Sequence, residues 1–233
     1  MLLLGVDTSG KQGSIALATG NAAAFAVLEV VAIGGGTFSA QLIPQVAALL
    51  ARHQRKKEDL DAFVVATGPG SFTGLRIGLA AVKALAEVLG KPIAAVSLLE
   101  AVAAAAGLEG AVLAALDAGR GEVFAGEYEV SSGRPCLVRE SLLTQDEFLA
   151  RAQATDAPLQ VATPDDSLAQ WLRAQNLPLA VPARPRSDLI ARLGLAKLLA
   201  GETVTVEALD ANYLRRSNAE LFSSIRGANS KNA

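Results

Sequence analysis

Two aspartates and one glycine-rich stretch are the residues here whose types and spacing bear on chemistry. Asp7 ends the apolar run Leu2–Val6 and opens the turn Thr8-Ser9-Gly10-Lys11-Gln12-Gly13. Asp117 ends the run Ala111–Leu116 and opens Ala118-Gly119-Arg120-Gly121. A carboxylate at a strand end facing a turn can hold Mg²⁺ or orient a phosphate. It can equally close the turn by accepting a nearby backbone amide, and the residues leave both readings open. The third feature is Gly68-Pro69-Gly70-Ser71-Phe72-Thr73-Gly74-Leu75-Arg76-Ile77-Gly78-Leu79, between an apolar strand at Asp61–Ala66 and an apolar helix running to about Leu89. Free amides at such a helix start can hold an anion, with Asp7, Thr8, Ser9, Gly70, Ser71, Thr73 and Asp117 as the candidate anion or vestigial nucleotide site. Yet the stretch has no Gly-Lys-Ser/Thr ending, and its Gly-x-Gly-x-x-x-Gly spacing misses the dinucleotide fingerprint. Close packing is the stronger reading of these glycines.

The remaining reactive side chains point to less. Ser71 has no histidine to activate it, because His53 lies at a helix end, so a serine hydrolase is not expected. Cys136 and His53 are single residues of their kinds, too few for a Cys/His metal site, and no internal disulfide can form. Arg120 and Glu122 flank Asp117 as a mixed-charge group. Arg215, Arg216, Arg226 and Lys231 against Glu220 leave the C-terminal segment locally basic, suited either to phosphate contact or to a solvated tail.

The elements that must position these groups follow from periodicity. Leu2–Val6, Ser14–Ala18 and Ala24–Ile33 read as three strands of a meander, followed by the loop Gly34-Gly35-Gly36. A helix over Ser39–His53 carries Leu42, Ile43, Val46, Leu49 and Leu50 on one stripe, with Ser39 as its cap, Phe38 as a staple to Ile43, and Pro44 disturbing its start. The tail His53–Asp59 reads as solvated. The helix from Thr73 is expected to be capped by Thr73, with Phe72 against Ile77. Its apolar residues run most of the way round, which requires burial on both sides. Ile93–Val96 is the next strand and Leu98–Ala106 an alanine-rich helix, giving β-β-β-α-β-α-β-α. The second half restarts with Ala111–Leu116 and a returning strand at Glu122–Glu129. Two strand–Asp–turn–strand units about a hundred residues apart suggest a duplication. Further elements are expected at Gln145–Gln153 (helix), Leu159–Ala162 (strand), Ser167–Gln175 (helix), Leu179–Val181 (strand) and Asp188–Ala200 (helix), before a frayed polar end at Ser223–Ala233.

Composition bounds the rest. The chain has 233 residues, is 51% hydrophobic and only 4% aromatic, and carries a formal net charge of −2. A substantial core is available, and there is no global attraction to nucleic acid. No apolar run approaches the roughly 20 residues of a membrane span, and the N-terminus lacks a signal peptide's pattern. A soluble, cytoplasmic protein is expected.

Together, Leu4-Gly5-Val6-Asp7-Thr8-Ser9 with Ser14-Ile15-Ala16-Leu17, the run Gly68–Gly78, and Leu116-Asp117-Ala118 with Arg120-Gly121-Glu122-Val123-Phe124 resemble the TsaB (YeaZ) family. Tyr213-Leu214-Arg215 resembles its closing motif. The sequence departs from the family pattern at Phe38-Ser39-Ala40, where a His-Ser-Glu run is frequent, and at Gly119, which follows Ala118 where arginine is usual. The resemblance implies an α/β actin-like fold of the Hsp70/hexokinase type, with two duplicated lobes and mixed sheets. The lobes would span 1–107 and 108–207, with 208–233 as a C-terminal segment. It also implies a non-catalytic scaffold subunit of tRNA N6-threonylcarbamoyladenosine synthesis, which places threonylcarbamoyl on the adenosine beside the anticodon. The implied partners are TsaD, which performs the transfer, the ATPase TsaE, and a second copy when the chain is alone. tRNA would be met only through the complex. No cofactor is implied for this chain itself, ATP and Mg²⁺ belonging to the complex. The implied partner surface lies on the first-lobe helices, at Leu42, Ile43, Val46, Leu49, Leu75, Gly78, Leu79, Val82 and Leu85. The alternative is an independent ATPase or phosphotransferase of the same fold using Asp7 and Asp117. A metallopeptidase reading lacks a histidine pair.

Overall fold

A computed structural model describes residues 1–34, 36–154 and 159–214; Arg215, Arg216, Glu220, Arg226, Lys231 and the expected frayed end lie outside them. Three strands come first, β1 (Leu2–Asp7), β2 (Gln12–Gly20) and β3 (Phe25–Gly34), then α1 (Phe38–Arg52), β4 (Ala62–Gly68), α2 (Phe72–Leu89), β5 (Ile93–Ser97) and α3 (Leu98–Ala105). The series then repeats as β6 (Gly110–Gly119), β7 (Glu122–Ser131), β8 (Arg134–Thr144), α4 (Gln145–Gln153), β9 (Gln160–Ala162), α5 (Asp166–Arg173), β10 (Leu179–Ala180) and α6 (Ser187–Leu199). The sheets run β3-β2-β1-β4-β5 and β10-β9-β6-β7-β8. Read from the outer edge inward, both have the order third-second-first-fourth-fifth. In each, the first three strands are antiparallel neighbours and the last two join in parallel. This is the duplicated actin-like α/β fold.

The duplication extends to irregularities. β3 slips register opposite Leu17/Ala18, bulging at Leu28, and β8 slips opposite Glu127/Tyr128, bulging at Val138. Each bulge turns an apolar residue outward, Leu28 at 40% and Val138 at 66% exposure, and blunts an edge strand against further pairing. The strand β8 has no counterpart in the elements expected from periodicity.

Period-two alternation divides each buried strand between two cores. Leu2, Leu4 and Val6 join α1 and α2 on one face of the first sheet, while Leu3 faces α6 on the other. In the second sheet, Val112, Ala114 and Leu116 pack on α3, and Leu113 and Ala115 pack on α4 and α5. The closing helix of each half therefore crosses over. α3 covers the second sheet, and α6 lies across β1, β2, β4 and β5 of the first. Gly5 and Gly194 make this contact close. A Cβ on Gly5 would lie 2.5 Å from the Ser187 carbonyl oxygen, and one on Gly194 would lie 2.1 Å from Cγ1 of Val64. α6, which chain order sets within 108–207, therefore packs on the sheet of the first half.

Local signals differ from the expected ones at three helix starts or ends. α1 begins one residue earlier, after Thr37, whose hydroxyl donates to the Gly34 carbonyl. Ser71, not Thr73, caps α2 by accepting the Gly74 amide at 3.3 Å, and Gly90 closes that helix in the left-handed region at φ 63°. The tail of α1 is held, because Arg52 and His53 both reach the Glu29 carboxylate on β3, at 2.7 and 2.9 Å. Among the described residues no helix is long and apolar enough to cross a membrane.

Candidate functional site

Where the two aspartate hairpins face each other, the lobes enclose a cleft of about 860 Å³. The first lobe lines it with Ser9, Gly10, Lys11, Gln12, Gly70 and Ser71, and the second with Asp117, Ala118, Phe124 and residues 164–167, with Arg184 between. Of the residues expected at an anion site, Ser9, Gly70, Ser71 and Asp117 meet here. Asp7 and Thr8 lie buried beneath the turn. Thr73 instead faces a neighbouring recess of about 390 Å³ between the starts of α1 and α2, together with Lys11, Phe38 and Ser39.

Both aspartates close their own turns. The Ser9 amide donates to Asp7 Oδ1 at 2.9 Å, and the Gly119 amide donates to Asp117 Oδ1 at 2.7 Å. Burial pushes the Asp7 carboxyl above its usual range, opposed by hydrogen bonding from Ser9 and by the Arg184 charge. Asp117 also donates its amide to Asp165 Oδ2 at 2.8 Å, and Asp165 pairs with Arg184 at 2.7 Å. Arg184 lies close to the first-lobe turn as well, its Nε 3.7 Å from where a Cβ on Gly10 would stand. It therefore bridges the lobes across the cleft. Nothing in the loop Ala183-Arg184-Pro185 singles it out in the sequence.

The glycine motif explains how α2 meets this turn. A Cβ on Gly70 would stand 2.3 Å from the Ser9 carbonyl oxygen, on Gly74 2.1 Å from that of Thr8, and on Gly78 2.3 Å from the Thr8 hydroxyl. The Ser71 amide donates to the Ser9 carbonyl at 2.7 Å, and the Thr8 hydroxyl donates to the Gly74 carbonyl at 2.8 Å. The packing role holds, and its object is local. These glycines seat α2 on the chain's own β1–β2 turn, not against α1 or a partner helix.

The actin-like fold implies Mg²⁺-ATP between its lobes, and the residues here do not fit it. The Ser9 amide is turned into Asp7, the carbonyls of Thr8 and Ser9 face α2, and Asp7 is buried away from the cleft. Among the described residues no group of three or more His, Cys, Asp or Glu could hold a metal ion.

The second candidate surface is the outer side of α1 and α2. The large apolar side chains expected to meet a partner are largely internal. Leu42, Val46, Leu49, Leu75, Leu79 and Val82 are core residues, Gly78 is buried on Thr8, and Leu85 is half-buried against the same core. Ile43 alone of that set is exposed, at 48%. The helices turn their bulky residues to the sheet because only there can a large side chain lose its water contact. What remains outside is a run of mostly smaller residues, uncharged on α1 and interleaved on α2 with Arg76, Lys83 and Glu87. On α1 it runs Ala40, Ile43, Pro44, Ala47 and Ala51, and on α2 it runs Ala80, Ala84 and Val88, the last 78% exposed. At the start of α2, Arg76 stacks 3.7 Å over the exposed Phe72 ring and bonds the Tyr213 hydroxyl at 3.1 Å.

The fold and these two surfaces define a two-lobed actin-like protein with a cleft of about 860 Å³ between its lobes. A family model described as "TsaD: tRNA N6-adenosine threonylcarbamoyltransferase" matches residues 34–161, more than half of the chain. The tRNA threonylcarbamoyladenosine biosynthesis protein TsaB of Bacillus subtilis is 32% identical over 228 residues, covering 94% of this chain and 96% of that protein. The tRNA N6-adenosine threonylcarbamoyltransferase of Solidesulfovibrio magneticus is 35% identical over 113 residues, which is 43% of this chain and 30% of that protein. Among solved structures, YeaZ from Pseudomonas aeruginosa superposes with a TM-score of 0.68 at 27% identity, covering 91% of this chain and all of that one. The chain belongs to the TsaB (YeaZ) family, within the wider family that the TsaD model describes.

Proposed function

We propose that this protein is a non-catalytic scaffold subunit of tRNA threonylcarbamoyladenosine synthesis, docking through the outer side of α1 and α2 onto a TsaD-type transferase. The observation that carries the docking claim is the run of small exposed residues along two adjacent helices, Ala40, Ala47 and Ala51 on α1 and Ala80 and Ala84 on α2. A helix pair covered on one side by its own sheet, with Ile43 and Val88 exposed on the other, offers an apolar patch on which a partner can dock. Small residues let a facing helix pair approach closely. The B. subtilis relative's name supports the pathway, and the partial likeness to a transferase supports the pairing. Two related chains presenting equivalent helix pairs meet in a pseudo-twofold, four-helix arrangement, the heteromeric form of an isologous interface. The same face serves a second copy when the transferase is absent.

TsaE, ATP with Mg²⁺, and tRNA enter at the level of the complex in this reading. Depleting the protein and measuring tRNA nucleosides by mass spectrometry tests it. Loss of threonylcarbamoyladenosine is expected, and an unchanged level contradicts the pathway assignment. The rival reading, an independent ATPase or phosphotransferase, requires tight Mg-ATP binding by the isolated chain, lost on Asp7→Ala. The inward-turned Ser9 amide and buried Asp7 argue against it, and calorimetry with Mg-ATP decides.

A further inference from the structure

After α6 the chain does not stop at the second lobe. The Val204 amide donates to the Ile93 carbonyl at 2.9 Å, lengthening the open edge of the first sheet at β5. Leu209 and Ala211 then drop into the first-lobe core, Leu209 with only 1% exposure. The Asn212 amide donates to the Thr67 carbonyl at the end of β4, at 2.8 Å. From this anchored position the Asn212 side chain crosses to the other lobe and donates to the Glu140 carboxylate on β8.

Glu140 is where the lobes meet. Its second oxygen accepts from the Ser97 hydroxyl, at the end of β5 in the first lobe, and from the Tyr128 hydroxyl on β7 in its own. A charged acceptor with three donors from three elements is a stronger tie than a surface ion pair. Beside it, Lys197 on α6 pairs with Glu100 on α3 at 3.2 Å. Beyond Asn212, Tyr213 packs its ring 5.4 Å from that of Phe72 on α2, and Leu214 rests on the second-lobe core.

We infer that residues 203–214 form a strap that latches the two lobes at one angle, with Glu140 as the keeper and Asn212 as the bolt. Two crossings already join the lobes, α3 into β6 and α6 back onto the first sheet. The strap is a third crossing, on the β5–β8 side, and it opposes opening. It makes the molecule a fixed-angle body, so that the α1–α2 face and the second lobe stay in a constant relation.

Electron–electron distance measurement between spin labels tests the latch. Labels are placed at Arg55→Cys in the first lobe and Gln170→Cys in the second, both exposed, in a Cys136→Ser background of the full chain. A single narrow distance distribution is expected. Asn212→Ala should broaden it and shift part of it to longer distance. Asn212→Asp should do so more strongly, because it sets a second carboxylate against Glu140. An unchanged distribution in both variants, or a distribution already broad before substitution, overturns the inference. Loss of the folded circular-dichroism signal in both variants overturns it too, since a latch must be separable from the fold it locks.

Discussion

Replacing Gly78 by alanine separates a packing glycine from an anion-binding one. A Cβ there would stand 2.3 Å from the Thr8 hydroxyl oxygen, with Cβ and Cγ2 of Thr8 at 3.4 and 3.5 Å. No real Cβ contact is so short, so the hydroxyl must move and give up its 2.8 Å bond to the Gly74 carbonyl. Losing that buried bond costs about 1 kcal/mol, and overpacking adds roughly 1–3 kcal/mol. The better helix propensity of alanine returns about 1 kcal/mol, leaving a net loss of about 1–3 kcal/mol. Thr8→Ala removes the obstructing hydroxyl and leaves the nearest Thr8 atom at ordinary contact distance. The double variant Thr8→Ala, Gly78→Ala should therefore be more stable than the summed single changes by about 1 kcal/mol. Gly74→Ala supplies the contrast. Its Cβ would stand 2.1 Å from the Thr8 carbonyl oxygen, which Thr8→Ala leaves in place, so no rescue is expected. Urea unfolding followed by circular dichroism gives these values, with Trp171 fluorescence reporting the second lobe. The reasoning is refuted by a Gly78→Ala cost below about 0.5 kcal/mol, the level of an unremarkable surface change, or by equal rescue of both glycine variants.

Other expectations follow from buried groups. The Asp7 carboxyl is held above its ordinary value of 3.8 by burial, so its ionised form opposes folding above the raised value, and the opposition fades as pH falls toward 3.8. Asp7→Asn, which still accepts the Ser9 amide, should raise the melting temperature at pH 7, with the gain disappearing in acid. Glu127 has the opposite sign. Hydrogen bonding from Arg151, then Arg139, lowers its carboxyl from 4.5, so its contribution is full above that value and is lost as pH falls through the lowered one. Glu127→Gln should therefore be less stable than the parent at pH 7 and equal to it in strong acid, as a pH series of thermal melts would register. Gly194→Ala drives a methyl group onto Val64, and should cost roughly 1–3 kcal/mol by lifting α6 off the first sheet. Urea unfolding checks it, and Val64→Ala should relieve part of the loss.

Period and turn chemistry made much of this fold legible. The duplicated aspartate hairpins, the two helices ahead of β4 and β5, and the helix at Gln145–Gln153 stand where apolar spacing places them. The edge strand β8 was not visible, because Arg-Pro-Cys-Leu-Val-Arg-Glu does not alternate and a bulge at Val138 breaks its register. The allegiance of α6 to the first sheet was hidden as well, since chain order assigns it to the second half and only the bare Cα of Gly5 and Gly194 permits the contact. At the sites, an all-round apolar helix signals two covered sides without telling which is which. Leu75, Leu79 and Val82 went to the core while Ala80, Ala84 and Val88 stayed outside, and the two valines show that position on the helix, not residue type, decided it. The same ambiguity hid the target of Gly70, Gly74 and Gly78. Their spacing reveals a close approach, while the approaching partner, Thr8 and Ser9, lies some sixty residues earlier in the chain.

The docking face proposed on α1 and α2 is tested most directly by measuring the mass of this chain mixed with a TsaD-type transferase from the same organism, using chromatography with light scattering. Ala47→Glu and Ala84→Glu place charge on exposed positions without entering the core, so both variants should keep the parent's unfolding midpoint. The parent should elute with the transferase as a one-to-one complex, and each variant should elute apart from it. A complex of full mass and undiminished affinity in both variants would contradict the account.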